Sequence, residues 1–183
     1  ADYYVSVGKG GVGKNVEGDL RTPLGVYFIT SSLNPKSLDD LYGTGALPIN
    51  FPNILDQRRG KTGSGIWLHG KPKAQFARAP LATEGCIALS NPDLDRIIRT
   101  VEIRTTPVVI GSQLQWVQPQ DVAPQKRAFA SLLRQWADSK QMGSTNALAQ
   151  FYASDFSAHG KDLGAYFSGL APDLSRINGR RIE

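Results

Sequence analysis

One cysteine and two histidines are all this chain offers for nucleophilic chemistry with an imidazole base: Cys86, His69 and His159. A thiol attacks a carbonyl well only as the thiolate, and an imidazole within reach can take its proton. His69 closes the apolar run Ile66, Trp67, Leu68, and Cys86 opens the run that ends at Leu89. The spacing predicts two strand ends separated by a loop, so that a sheet brings the two side chains together. Gly85, just before the cysteine, allows a tight turn that leaves backbone N–H groups free for an oxyanion. The same residues also fit a blander reading, a buried apolar thiol beside a structural histidine. His159 lies in S-A-H-G-K, a loop-like setting with no cysteine near it in sequence, and reads as a surface residue.

The pattern H-G, a loop, then T-E-G-C-I-A-L-S resembles the signature of the YkuD-type L,D-transpeptidase family. The likeness extends to E-G-D-L-R-T-P-L-G-V-Y-F-I from Glu17, Y-G-T-G-A-L-P-I-N-F-P-N from Tyr42, and G-S-G-I-W-L-H-G from Gly63. N-P-D-L-D-R-I and T-P-V-V-I continue it, so that the resemblance covers roughly residues 3 to 117. It implies a mainly β fold, a YkuD-like β-sandwich catalytic domain with short helices, followed here by a small C-terminal helical segment.

In such an enzyme Cys86 would attack the carbonyl of a diaminopimelate residue joined to a terminal D-alanine, with His69 as base. The backbone carbonyl of Gly70 would hold the imidazole, and the N–H groups of Gly85 and Cys86, with Glu84 as a third, would form the oxyanion hole. Arg78, Trp67 and Thr83 are the candidate substrate contacts, Arg78 because a guanidinium pairs with a peptide carboxylate through two hydrogen bonds. No metal and no cofactor are implied. The implied partners are peptidoglycan stem peptides, a wall-attached protein as an acceptor, and carbapenem-type inhibitors that acylate the thiol. The implied location is the periplasm or cell envelope, although the chain opens at Ala1 without a charged-then-apolar leader. One residue departs from the family: many members have histidine where this chain has Glu84. A negative charge there raises the thiol pKa unless it points away. It leaves the acceptor open between an amine (transpeptidase) and water (L,D-carboxypeptidase). A non-catalytic wall-binding module is the alternative of a different class.

Composition narrows the field. A 40% hydrophobic and 20% charged chain of 183 residues is globular rather than disordered, with room for one ordinary domain and part of another. No apolar run is long enough for a membrane span. A single cysteine cannot form an intrachain disulfide. The net charge of +5 gives mild attraction to polyanions, yet no basic run or nucleic-acid motif accompanies it, so nucleic acid is not expected as a partner. The segment G-K-G-G-V-G-K-N from Gly8 is a decoy for a phosphate-binding loop. Asn15 stands where such a loop needs a hydroxyl, and Gly18, Pro23 and Gly25 interrupt the helix that should follow. It reads as a Gly-rich hairpin turn.

The elements that must position the pair follow from pattern. Tyr3 to Val7 and Val26 to Thr30 read as strands, and Ser37 to Tyr42 as a short helix capped by Ser37. Leu47 to Ile54 reads as irregular, Gln57 to Gly65 as an exposed loop, and Gly65 to His69 as the strand that delivers the histidine. Gly70 to Glu84, with two prolines and three positive charges, reads as a loop or lid. Asn91 is the expected N-cap of a helix whose Leu94, Ile97, Ile98 and Val101 share one face. Thr106 to Ile110 closes the first domain, expected over 1–118. Pro119 and Pro124 mark a linker over 119–125. Residues 126–183 then form a helical segment with stripes Phe129–Leu132–Leu133–Trp136, Leu148–Phe151–Tyr152–Phe156 and Leu163–Tyr166–Phe167–Leu170. This segment resembles the opening helices of the nuclear-transport-factor-like fold, without the sheet that completes it.

Overall fold

A computed structural model describes residues 1–75 and 78–177, with side chains as far as residue 170. The middle of the expected lid (76–77) and the end of the helical segment (178–183) lie outside the described residues. The chain divides into two units, Ala1–Leu114 and Gln115–Glu183.

The first unit is built of short strands, as the fold expectation has it. β2 (Gly25–Phe28) pairs antiparallel with β7 (Pro107–Ile110). β3 (Ala46–Pro48), β4 (Trp67–His69) and β6 (Ile87–Ala88) form a three-stranded sheet, with β3 antiparallel and β6 parallel to β4. β1 (Val7–Gly8) pairs parallel with β5 (Leu81–Thr83). The period-two rule explains the core: Tyr27 and Ile29 point inward, while Val26 and Phe28 face out. Leu47, Ile49, Phe51, Ile66, Leu68, Leu89 and Leu94 complete the buried cluster. α2 (Asn91–Thr100) contributes Leu94 and packs Ile97, Ile98 and Val101 against it, the face expected from spacing.

Several local expectations are corrected. The first strand begins at Val7 rather than Tyr3, because only there does the backbone meet β5. β5 itself lies inside the stretch expected to be all loop. It forms because Val7 N–H bonds to Pro80 O (2.8 Å) and Lys9 N–H to Thr83 O (2.8 Å), partners that no local pattern reveals. Ser37 to Tyr42 is two 3₁₀ turns, Pro35–Ser37 and Asp40–Tyr42, capped by Asn34 and Asp39. The supposedly irregular Leu47 to Ile54 contains most of β3 and the start of α1 (Ile54–Arg58), which Asn53 and Asp56 close with a capping box. Ser90, not Asn91, caps α2: its hydroxyl accepts from Asp93 N–H at 3.2 Å, and Asn91 is the first helical residue.

The phosphate-loop decoy becomes a wall. Its backbone folds back onto Leu20–Thr22, with Gly10 N–H on Leu20 O (2.9 Å) and Thr22 N–H on Gly11 O (2.9 Å). No helix follows Lys14. The buried Lys14 side chain turns onto Asp19 with Nζ–Oδ1 2.8 Å, and the Asp19 carboxylate also accepts from the N–H groups of Asn15, Val16 and Arg21.

In the second unit α3 (Pro119–Gln141) begins inside the expected linker. Pro119 occupies the first helical position, where its missing N–H costs nothing, and the helix tolerates Pro124 one turn later. The stripe expected to continue to Phe156 forms only α4 (Thr145–Ala149). A hairpin of β8 (Ser157–Ala158) and β9 (Lys161–Asp162) follows, then α5 (Leu163–Ile177). Leu148 and Phe167 are its buried centre, ringed by Trp136, Tyr152 and Tyr166. Tyr152 meets Phe156 and Phe167 edge-on at 5.0 and 5.1 Å, a favoured aromatic geometry. No helix among the described residues is long and apolar enough to cross a membrane.

The Asp19 pair makes the wall loop sensitive to acid. Burial opposes the charged carboxyl, but the Lys14 ammonium and the three backbone N–H groups outweigh it and hold Asp19 far below the usual carboxylate range. A depressed folded-state pKa gives stability that is present above the unfolded value of about 3.8 and is lost as pH falls below it. Asp19→Asn removes the counter-ion of a buried lysine, which keeps the Val16 carbonyl as a partner, and is expected to cost about 3 kcal/mol at pH 7. Urea unfolding at pH 7 and pH 3 checks this: the loss relative to parent should shrink at the lower pH.

Candidate active site

The pairing of β4 with β6 creates the site. Leu68 stands opposite Ile87 and His69 opposite Ala88, which sets Cys86, one residue before β6, level with Trp67. Successive side chains alternate, so Trp67 and His69 leave the same face of β4 while Leu68 enters the core. His69 and Cys86 both line a cleft of about 590 Å³ in the first unit. Its other walls are the Lys14–Gly18 loop, the strap Gly63–Gly65, Tyr42, Arg78 and Glu84.

His69 is buried, and its Nδ1 lies 2.7 Å from the backbone oxygen of Gly70. A carbonyl only accepts, so Nδ1 carries the proton and Nε2 is left with a lone pair. Burial pushes the imidazole pKa down, the Gly70 carbonyl opposes this, and the nearby Arg78 charge lowers it further. Neutral imidazole is therefore the resting form at pH 7. The Cys86 thiol, half-buried, donates to Gly65 O at 3.4 Å. Burial pushes its pKa up, the Trp67 backbone N–H pulls the other way, and the Glu84 charge adds to the rise. Both shifts favour the neutral forms, thiol and imidazole, over an ion pair.

The cysteine turn is held by two buried threonines. Thr83 Oγ1 donates to Cys86 O (2.6 Å) and accepts from Gly85 N–H (3.2 Å). Thr22 Oγ1 donates to Gly85 O (2.9 Å) and accepts from Gly8 N–H (2.9 Å), which ties the turn to β1. Gly85 has φ 129°. A Cβ there would sit 2.8 Å from Arg21 O and 3.0 Å from Ile66 Cδ1, so only glycine fits.

These contacts distinguish the residues expected from sequence. Gly70 stands where the imidazole needs an acceptor. The Gly85 N–H, an expected oxyanion donor, is already taken by Thr83. The N–H groups of Cys86 and Glu84 have no hydrogen-bond partner among the described residues. Thr83 lines the cleft, but its hydroxyl is spent on the turn. Trp67 is not among the cleft-lining residues. Its ring packs on Tyr42 at 5.0 Å between centroids, and Tyr42 in turn meets the His69 ring edge-on at 5.3 Å. Arg78 lines the cleft near His69, while Glu84 lines it exposed to solvent. Tyr42 and Thr22 were not singled out in the sequence, although both lie in blocks that carry the family resemblance. Among the described residues no group of three or more His, Cys, Asp or Glu side chains is arranged to hold a metal ion.

Comparison with known proteins gives the same frame. The model of the YkuD family, the L,D-transpeptidase catalytic domain, matches residues 1–110. The structure of the helical cell shape determining protein Pgp2 from Campylobacter jejuni is similar, with a TM-score of 0.75 and 30% identity. That match covers 98% of this chain and 61% of Pgp2. Bd1075 from Bdellovibrio bacteriovorus has a TM-score of 0.76 at 24% identity, over 95% of this chain and 61% of its own, a likeness of fold. The chain thus spans about three fifths of the length of either structure. No curated protein sequence matches it. With the family model spanning more than half of the chain, over the unit that carries Cys86 and His69, this protein belongs to the YkuD family of L,D-transpeptidase catalytic domains.

Proposed function

We propose that the cleft carries out cysteine acyl transfer on peptidoglycan stem peptides in the periplasm or cell envelope, as an L,D-transpeptidase. The observation that carries this reading is the committed tautomer of His69, which leaves Nε2 as a base in the cleft that Cys86 also lines. His69 takes the thiol proton as Cys86 Sγ attacks the carbonyl of the diaminopimelate L-centre. The tetrahedral oxyanion is received by the N–H groups of Cys86 and Glu84 rather than by that of Gly85. The intermediate collapses, the C–N bond to D-alanine breaks, and the imidazolium returns its proton to the departing amine. An amine then attacks the thioester, His69 accepts its proton, and the thiol is restored. That amine belongs to a second stem peptide or a wall-attached protein. Arg78 meets a substrate carboxylate at the cleft wall, and carbapenem-type compounds acylate the same sulfur. No metal or cofactor enters this chemistry.

A second reading, L,D-carboxypeptidase, rests on Glu84, a solvent-facing carboxylate at the cleft where many members have histidine. There water replaces the amine. Pgp2, a cell shape determining protein by name, supports a wall-remodelling role for either acceptor.

Intact-mass spectrometry with purified tetrapeptide muropeptides tests the reading. A Cys86-dependent acyl adduct with cross-linked dimers is expected, and Cys86→Ala should give neither. Loss of D-alanine alone selects the carboxypeptidase, and no adduct or product from folded protein overturns both.

The resting protonation states give a pH prediction. Because burial raises the thiol pKa, alkylation of Cys86 by iodoacetamide should climb about tenfold per pH unit between pH 7 and 9. Substrate turnover should instead rise as the imidazole loses its proton, with an apparent midpoint below 6.5. Alkylation that is fast and flat from pH 5 to 8 would indicate a thiolate–imidazolium pair and contradict this assignment.

A further inference from the structure

We infer that Asn91 is a positioning residue for the catalytic histidine, acting through the single peptide unit that joins Gly70 to Lys71. Ser90 caps α2, so the Asn91 side chain is released from the capping role and turns back toward the histidine segment. Its Oδ1 accepts from Lys71 N–H at 2.9 Å, and its Nδ2 donates to Lys71 O at 3.0 Å. The Lys71 N–H and the Gly70 C=O belong to one planar trans peptide, whose N–H and C=O point in opposite directions. Holding the N–H on Asn91 therefore aims the C=O away from it, at His69 Nδ1 2.7 Å distant. The result is a chain of hydrogen bonds from His69 Nδ1–H through the Gly70–Lys71 peptide to Asn91 Oδ1. In such a chain each bond polarises the next and makes the Gly70 oxygen a better acceptor.

The surroundings are shaped for this amide. Thr44 N–H approaches Asn91 Oδ1 at 3.4 Å, and Thr44 Oγ1 donates to Asn91 O at 3.4 Å. Glycines stand at 43 and 70, and a Cβ at either would run into Asn91 Oδ1. Gly70 N–H is fixed on Tyr42 O at 3.0 Å, so both peptide units that flank Gly70 are tied down. Asparagine suits the place because the site needs an acceptor and a donor on one short side chain. Aspartate keeps the acceptor and loses the donor, and alanine loses both.

This inference rests on the cysteine–histidine reading of the cleft, but its central measurement needs no substrate. With two histidines in the chain, ¹⁵N multiple-bond NMR of histidine-labelled protein resolves the His69 tautomer at pH 7.5. The parent should show His69 solely as the Nδ1–H form. Asn91→Ala, if folded, should show mixed or Nε2–H character, with kcat on muropeptides down about 10²-fold and KM within about twofold. Asn91→Asp should keep the Nδ1–H form. A folded Asn91→Ala with a pure Nδ1–H histidine overturns the proposal. Should that variant fail to fold, Asn91→Asp carries the test, and loss of the Nδ1–H form there overturns it equally. A parent without turnover that still shows these tautomers defeats the proposed reaction while leaving the positioning role in place.

Discussion

Everything in the catalytic unit depends on the pairing of two very short strands. β4 and β6 share only the register Leu68 with Ile87 and His69 with Ala88. Neighbouring strands lie about 4.8 Å apart, so this register alone brings the end of one to the start of the other within the span of two side chains. A shift by one residue would turn His69 into the core and Leu68 into the cleft. Such short strands hold their register because what lies beyond them is tied down. Leu68 and Leu89 are buried in the core, and Leu89 N–H continues the ladder onto His69 O at 2.9 Å.

Around that pairing, polar side chains do the work that longer strands would do. Thr22 and Thr83 satisfy three of the backbone groups at the cysteine turn, and Asn91 satisfies two at the histidine turn. Buried backbone groups need partners, and here the partners are side chains from distant parts of the chain. The Lys14–Asp19 pair serves the cleft wall in the same way. It fixes a loop whose Asn15 O receives Thr62 N–H (3.0 Å) and whose Glu17 N–H meets Thr62 Oγ1 (3.1 Å). That contact joins the loop to the strap whose Gly65 carbonyl receives the thiol.

The resting electrostatics follow from the same burial. A desolvated imidazole and a desolvated thiol both favour their neutral forms, and Arg78 and Glu84 each push further in that direction. In the proposed reaction, charge separation between sulfur and nitrogen would therefore develop with the substrate in place.

The sequence by itself determined the fold class and singled out Cys86 and His69 as the candidate reacting pair. A lone cysteine after Gly85, a histidine at the end of an apolar run, and several blocks in family order specify a YkuD-like domain. The α2 apolar face was equally legible, because helical period and burial coincide at Leu94, Ile97, Ile98 and Val101. What only the tertiary structure decided is whatever depends on a partner far along the chain. β5 exists because β1 lies beside it. The helix that replaces the expected linker is permitted locally by Pro119 at its first position, and its partners lie in the later helices of its own unit. Trp67 yields the cleft to Tyr42, and Gly85 N–H is lost to Thr83, because side-chain direction and hydrogen-bond competition are settled by neighbours in space. Asn91 shows the limit most plainly: residue type and position suited a helix cap, and a neighbouring serine that caps as well freed its amide for the histidine.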